Sequence, residues 1–574
     1  MKIRGRLLMV LLVSLGFIIN VNASETLQSQ IDGNRSKEIV LDRDYTEIFT
    51  VGKDQDITID LNGHSITSTS VDTGKNAKTL EIYGKLTIKD SKDNGEIKSF
   101  GTFVVDNGTF VLDSGKLTFT KLQDYGLYAK NGGEIIINGG EITADYSVLT
   151  GNNTTGAMKF VVNGGTLTTK YGPAIYMSGP ISLDITGGTL NGGISLRMGK
   201  VNISGGIINA ATASLDDITD QDYYAYNGNV WLADALFVMG GTYNTDITGE
   251  TNILDLNITG GIFNVTNKLG SGIAIYDIAK VAQEMKVNIS GNVEIKTNST
   301  TRGAFDVLNL DDLKITNIKS GYNNKDYVGK VSATITGGKY SSDVSKYVPT
   351  THEVTKANGM YTVAKKEFKI EGPVIDNTPV KEIKMGIVED TDTKNIIEDS
   401  LKDFKIDTTD KNAKVEIAIN KTEESNIDNK VLTSIKDLIS AKNAKIAGYF
   451  DITLNVLDSD SNEQLGTLTQ LNKKIKFNVA IPEELLNIGS NIERNYYVIR
   501  YHDGKAEKLA AKIDGNILSF ETDRFSTYAV AYEDVEIKTV VNPATGDDIV
   551  RYVAILMVSA ASLGFLSYKL KKNN

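Results

Sequence analysis

From Tyr83 to Tyr340 apolar side chains recur at every second position in short runs, as in Leu183 and Ile185, Val201 and Ile203, or Leu256 and Ile258. Alternation of this kind is the mark of a strand with one buried face. Each run ends in the same way: "EIIINGGEI", "FVVNGGTL", "LDITGGTL", "VNISGGII", "LFVMGGTY", "LNITGGIF", "VNISGNVE", "ATITGGKY". The first glycines stand at 139, 164, 187, 205, 240, 260, 291 and 337, a basic step of 18 to 25 residues with longer gaps where loops are inserted. Self-similarity at this period predicts a solenoid whose coils stack at ~4.8 Å and pair in parallel along the axis. The glycine pair marks a sharp turn between short strands, where a Cβ would prevent the required backbone angles or the approach of the next coil.

This pattern resembles the right-handed parallel β-helix of the pectate-lyase-like kind over residues 37–365. "DITIDLNGHSITS", Asp56 to Ser68, resembles the first coil of that family, and "GGKYSSDVSKYVPTTHEVTKANGMYTV" resembles the closing segment that follows such helices in Gram-positive surface proteins. A kelch propeller also uses Gly-Gly strands, but its repeats run near ~50 residues with their own tryptophans, and this chain has one Trp. Asn202, Asn257 and Asn288 match the glycosylation acceptor pattern. Each falls between two inward residues and is expected to point outward for reasons of register.

After Val363 the repeat vanishes and a lysine- and acid-rich stretch with Pro373 and Pro379 begins. Val431, Leu432, Ile435, Leu438 and Ile439 follow helical spacing, whereas Phe450, Ile452, Leu454 and Val456, then Ile475, Phe477, Val479 and Ile481, alternate. Asp503-Gly504 and Asp514-Gly515 are hairpin turns. The expected fold is all-β: a β-helix with terminal caps over 24–365, then an antiparallel β-sandwich with one or two helices over 366–535. The stretch from "YYVIRYHDGK" to "SFETDRFSTYAVAYED" resembles a module that stands before the anchor in surface proteins.

The two ends predict where the chain works. Lys2, Arg4 and Arg6 precede an apolar run from Leu7 to Val21, and Ala23-Ser24 offers a cleavage point, so 1–23 reads as a removed secretion signal. Residues 549–568 are apolar except Arg551, long enough as a transmembrane helix for ~30 Å of hydrocarbon, and 569–574 carry Lys569, Lys571 and Lys572 as a cytoplasmic tail. Just before them, in a short linker over 536–548, lies "NPATGDD". Polar motif, span and basic tail together resemble the cell-wall sorting signal of Gram-positive surface proteins, a sortase substrate. That resemblance implies Asn542, Pro543, Ala544, Thr545 and Gly546 as the sortase motif, cleavage between Thr545 and Gly546, and attachment to peptidoglycan. Asn542 departs from the commonest form, which has Leu, and leaves the sortase class open; the alternative is retention in the plasma membrane by the uncut helix.

Composition narrows the chemistry. A net charge of −11 over 574 residues leaves no concentrated basic face for nucleic acid, and the absence of Cys excludes disulfides and thiolate chemistry. Enzymes of the β-helix family use calcium-binding acids with an arginine base, or several aspartates with a His-Gly turn. Here Arg35, Arg43, Arg197 and Arg302 lack the Arg-x-Pro context, His64 precedes Ser65, His352 and His502 lie outside the repeats, and Asn244-Thr245-Asp246 is an isolated match. No complete catalytic constellation is present, so a lyase or glycoside hydrolase is the alternative, together with a stalk that binds nothing. The stretch from Ser214 to Trp231 is the most unusual in the solenoid. Asp216, Asp217, Asp220 and Asp222 could hold calcium as a cofactor, and Tyr223, Tyr224, Tyr226 and Trp231 could stack on sugar rings; a solvated acidic loop whose tyrosines lie on the coil below is the favoured reading. "DSDSNEQ", Asp458 to Gln464, lacks the glycine and final glutamate of a calcium loop and reads as a hairpin turn. The functional expectation is a wall-anchored adhesin or glycan-binding protein, with sortase, peptidoglycan and a polysaccharide or host-surface ligand as partners.

Overall fold

A computed structural model describes residues 25–537, apart from 69–77, 122–124, 152–157, 171, 178, 180, 212–232, 240–252, 277–283, 309–329, 377, 409–410, 441–443, 487–488 and 490. Two compact units meet between Lys366 and Glu367.

The first unit is a parallel β-solenoid with three strands per coil. A first ladder runs through 56–60, 85–89, 109–112, 134–137, 158–162 and 181–185 into the long strands Gly199–Ala210, Ile253–Val265 and Glu284–Thr297. The second ladder, after the glycine turn, completes a 21-stranded sheet; the third forms a separate 10-stranded sheet from Phe49–Val51 to Phe305–Leu308. All pairing between successive coils is parallel, which rules out a propeller. Leu86, Phe110, Ile135, Phe160, Leu183 and Val201 stack in register, each fully buried, and the other two ladders contribute matching inward columns.

The glycine pair has two separate causes. A Cβ on the first glycine would meet the carbonyl oxygen of the coil below at 2.4 Å for Gly139, Gly164 and Gly187, and at 2.2 Å for Gly205 and Gly260. The second glycine carries positive φ, from +76° at Gly140 to +103° at Gly261. The first is excluded by close approach, the second by backbone conformation.

The solenoid is closed at both ends. Helix α1, Leu27–Ile31, buries Leu27 and Ile31 over the core, and Gln28 uses its amide as a substitute strand, accepting from Thr50 N (2.7 Å) and donating to Thr50 O (3.2 Å). At the far end the hairpin His352–Ala357/Met360–Lys365 pairs antiparallel with Lys339–Tyr340, and Tyr347 packs edge-on against Phe305 at 4.8 Å. This segment covers the last coil, as the sequence suggested.

Two local readings need correction. "DITIDLNGHSITS" forms the second coil, not the first, because Ser36–Val40 pairs beneath Asp56–Asp60. Its turn does have the expected form, with Asn62 and Gly63 at φ +48° and +81° and the Asp60 carboxylate accepting from Asn62 N and Ser91 N. The run "LFVM" belongs to the third ladder, since Leu236 pairs with Ile194, so Gly240 does not mark a turn after the first ladder. The coil containing it spans 55 residues, measured from Asn209 to Asn264, against 25, 25, 23 and 18 in preceding coils.

The second unit is a two-sheet sandwich. A 7-stranded sheet built on Ala413–Thr422, Lys445–Asp458, Thr527–Glu536 and Ile492–His502 faces a 4-stranded sheet of Lys384–Ile387, Gln470–Ala480, Ile517–Arg524 and Ala511–Asp514. Phe450, Ile452, Leu454, Val456, Phe477 and Val479 meet in the core between them. Pairing is antiparallel except for Lys369–Glu371, which lies parallel to Ala413–Thr422, and the isolated parallel bridge between Val374 and Ile387. Helix α2, Thr391–Asp403, is capped by Asp390, which accepts from Thr393 N, and buries Ile397 and Leu401 in that core. Helix α3, Asn429–Ser440, covers the outer side of the larger sheet through Ile435 and Ile439; Leu438, expected on this face, is 46% exposed. Asp503-Gly504 and the Asp458–Gln464 segment are hairpin turns, the latter tied by Ser461 Oγ donating to Asp458.

No helix among the described residues is long and apolar enough to cross a membrane. The span 549–568 lies outside them.

Candidate binding surface

The residues singled out by sequence chemistry lie outside the described residues: Ala23 and Ser24, the loop residues Asp216, Asp217, Asp220, Asp222, Tyr223, Tyr224, Tyr226 and Trp231, the Asn244–Asp246 match, and Asn542 to Gly546. What the structure supplies instead is the character of each outer face of the solenoid.

On the first ladder, residues between the inward columns form stacked polar rows. Lys85 pairs with Asp56 at 3.3 Å and Lys159 with Glu134 at 2.9 Å, ion pairs between successive coils. Higher up, Asn202 donates to Asp184 (2.9 Å) and Asn288 to Asn257 (3.0 Å). The three glycosylation-like asparagines therefore point outward as register required, and their spacing reflects stacking. At the adjoining turn Asn138 donates to Asp113 and Asn163 to Asn138, at 2.8 and 2.9 Å.

The second ladder changes character along its length. Its lower coils carry Glu96, Lys116 and Glu141. Burial pulls the Glu96 carboxyl upward, but the Thr118 hydroxyl and Lys98 outweigh it and hold it below its usual range. Above Glu141 the outward residues of four successive strands carry no charge: Thr166 and Thr168, Thr189 and Asn191, Ile207 and Asn209, Ile262 and Asn264; Lys170 lies exposed just past the end of the first. Asn191 donates to Thr168 Oγ1 (3.2 Å), Asn209 to Asn191 (2.9 Å) and Asn264 to Asn209 (3.1 Å), a continuous amide column. Beside it Ile207 and Ile262 stack in register, 38% and 37% exposed. Charge returns in the next coil with Glu294 and Lys296, which form an ion pair.

The third ladder has a buried outer face. Thr150, Tyr176 and Ser195 succeed one another in register, between 0% and 2% exposed, and the hydroxyls of all three have no hydrogen-bond partner among the described residues. Phe237 continues the row and packs at 5.1 Å from Tyr276. Arg197 is buried just beyond Ser195. At the start of the following strand Asp234 is buried; Oδ1 accepts from Ser271 N (2.6 Å), and burial raises this carboxyl well above its ordinary range against the pull of Ser271 and Arg302. Ser271 Oγ in turn donates to Asp306 (2.6 Å).

The arginines do not assemble a lyase site. Arg43 lies over Tyr45 in the first coil, while Arg197 follows a third-ladder strand and Arg302 precedes another. His64 lies 3.6 Å from Asp44, at an N-terminal turn. No cluster of three or more metal-ligating side chains occurs among the described residues. In the sandwich, buried Arg500 donates to Thr522 Oγ1 (2.8 Å) and Asp523 (2.9 Å) and also engages Glu507. Burial would raise the Asp523 carboxyl, but Arg500 reverses this and holds it low. This network joins the two sheets, with the Arg500 side chain 8% exposed between carboxylates that reach the surface.

Sequence reasoning missed the uncharged stretch of the second ladder. The signal for it is the column of residues directly after each glycine pair, Glu141, Thr166, Thr189, Ile207 and Ile262. No protein-family model, no curated protein and no solved structure matches this chain.

Proposed function

We propose that this chain is a secreted surface protein, joined to peptidoglycan through Thr545 by a sortase, whose β-solenoid presents a rigid face for adhesion to a polysaccharide or host-surface ligand. The observation that carries the location is the order of polar motif, apolar span and lysine tail over 542–574, together with the charged and apolar leader of 1–23. Support for binding comes from the solenoid itself: stacked outward rows make long flat ladders suited to polymers. We read the winding as right-handed, the hand that parallel crossovers adopt almost without exception.

Two experiments test this reading. Mass spectrometry of wall digests is expected to recover a C-terminus at Thr545 bonded to cross-bridge peptide; recovery of intact 549–574 from membranes would refute the anchor. A glycan array run beside reducing-sugar and lyase assays, with and without EDTA, is expected to show retention without turnover. Turnover would replace the adhesin by an enzyme, and silence throughout would leave a stalk.

A further inference from the structure

The uncharged stretch of the second ladder combines two features that sugar chains require. Ile207 and Ile262 lie exposed and stacked, an apolar strip for the C–H face of a pyranose ring. Asn191, Asn209 and Asn264 run alongside, each already donating one N–H to the residue below. A primary amide has two N–H donors and two acceptor lone pairs, so every amide in the column retains capacity for a further partner while its plane is fixed by the bond it has made. Side chains ordered before binding lose little entropy on contact.

Charge defines the occupant. The chain carries −11 overall, yet the outward residues of four successive strands of this face carry no charge, between Glu141 at one end and the Glu294–Lys296 pair at the other, with Lys170 just past one strand end. A polyanion would find no cation along the centre of the platform, and a polycation would find no carboxylate there. An uncharged polyhydroxylated chain loses nothing there. The rows advance by ~4.8 Å per coil, close to the advance of one ring in an extended β-linked polysaccharide, so hydroxyls of successive sugars meet successive amides if the chain follows the solenoid axis.

We propose that the platform formed by Thr189, Ile207 and Ile262 beside Asn191, Asn209 and Asn264 is the binding site for an uncharged linear polysaccharide lying along the axis. The proposal rests on the adhesive reading above and specifies its ligand class and location.

The test is depletion of the intact mature protein from solution by insoluble cellulose, chitin and xylan, with polygalacturonate gel as the charged probe. At least one neutral probe is expected to retain the parent protein. Ile207→Lys and Asn209→Ala are each expected to weaken that retention tenfold or more, while Lys200→Ala on the first ladder leaves it unchanged. Circular dichroism melts verify folding, and the milder Asn209→Ala keeps the test informative if Ile207→Lys misfolds. Equal retention of parent and platform variants would overturn this site while leaving the adhesive reading intact. Retention by polygalacturonate alone would overturn the ligand class. Failure of the parent on every probe would overturn the inference, and binding to non-glycan host surfaces in the same preparation would show that the adhesive reading survives it. Sedimentation showing a dimer that Ile207→Lys dissolves would assign the platform to a second copy of the chain.

Discussion

Replacing Gly164 by alanine isolates the close-approach half of the glycine turn. Its φ is not positive, so alanine is free of backbone strain there, and at such positions Gly→Ala ordinarily stabilises by ~0.4–1 kcal/mol through the unfolded state. Here the new Cβ would stand 2.4 Å from Asn138 O, about 1 Å inside ordinary contact. The oxygen is backbone and cannot swing aside. Separating the coils locally strains the bonds from Asn163 N and Gly164 N to Ile137 O, at 2.8 and 3.3 Å. Overpacking at ~1–3 kcal/mol and two weakened hydrogen bonds at ~0.5–1.5 kcal/mol each give an expected loss of ~3 kcal/mol. Gly359→Ala is the reference: φ is +79° but nothing lies within 4 Å, so only the left-handed conformation is penalised, at ~1 kcal/mol. Gly165→Ala combines both, with φ +78° and Gly139 O at 2.7 Å, and should cost the most. Urea unfolding of the full chain followed by far-ultraviolet circular dichroism compares the three variants, since the sandwich transition is common to all of them. A Gly164→Ala midpoint equal to or above that of Gly359→Ala would refute the argument.

Other expectations follow from the same geometry. Thr150→Val and Ser195→Ala remove buried hydroxyls that have no partner among the described residues and should raise stability by ~1 kcal/mol each in the same urea assay, whereas a loss would reveal partners for them. Arg500→Ala leaves Asp523 facing an emptied site and should destabilise the sandwich by ~3 kcal/mol, followed by near-ultraviolet circular dichroism of its tyrosines; an unchanged melt would show the network to be dispensable. Asp234 holds its proton in the folded state above the pH near ~3.9 at which the unfolded chain releases it. Stability contributed by this group therefore falls as pH rises through that value towards the folded pKa, and Asp234→Asn should lose this slope. Parallel pH–stability curves for parent and variant would contradict that assignment. Gln28→Ala uncovers the Thr50 edge of the third ladder and should produce concentration-dependent association by light scattering.

How much was legible in the sequence depended on whether a strand is buried on one face or two. The first and second ladders have one wet face, so Leu183 and Ile185 alternate with polar residues and announce themselves. Third-ladder strands such as Ile175–Met177 and Ile194–Leu196 are buried on both faces and show no alternation. That is why "LFVM", which precedes the same glycine pair, reads in sequence as another first-ladder run. Helix α2 offered only Ile396, Ile397 and Leu401 among charged residues, too few to define a stripe, and its cap at Asp390 became meaningful only once the helix was known. The platform is a different case. "GGII" and "GGIF" look like core, because two adjacent apolar residues cannot be assigned to faces by composition. Stacking the phrases assigns them: the first residue after the glycine pair reads Glu141, Thr166, Thr189, Ile207, Ile262 and the second reads Ile142, Leu167, Leu190, Ile208, Phe263. A position that accepts glutamate in one coil cannot face the core in the next, since parallel pairing in register keeps each column on one side. Ile207 and Ile262 must then be outward, and two exposed isoleucines in a column that elsewhere tolerates Glu and Thr are a departure that folding does not require.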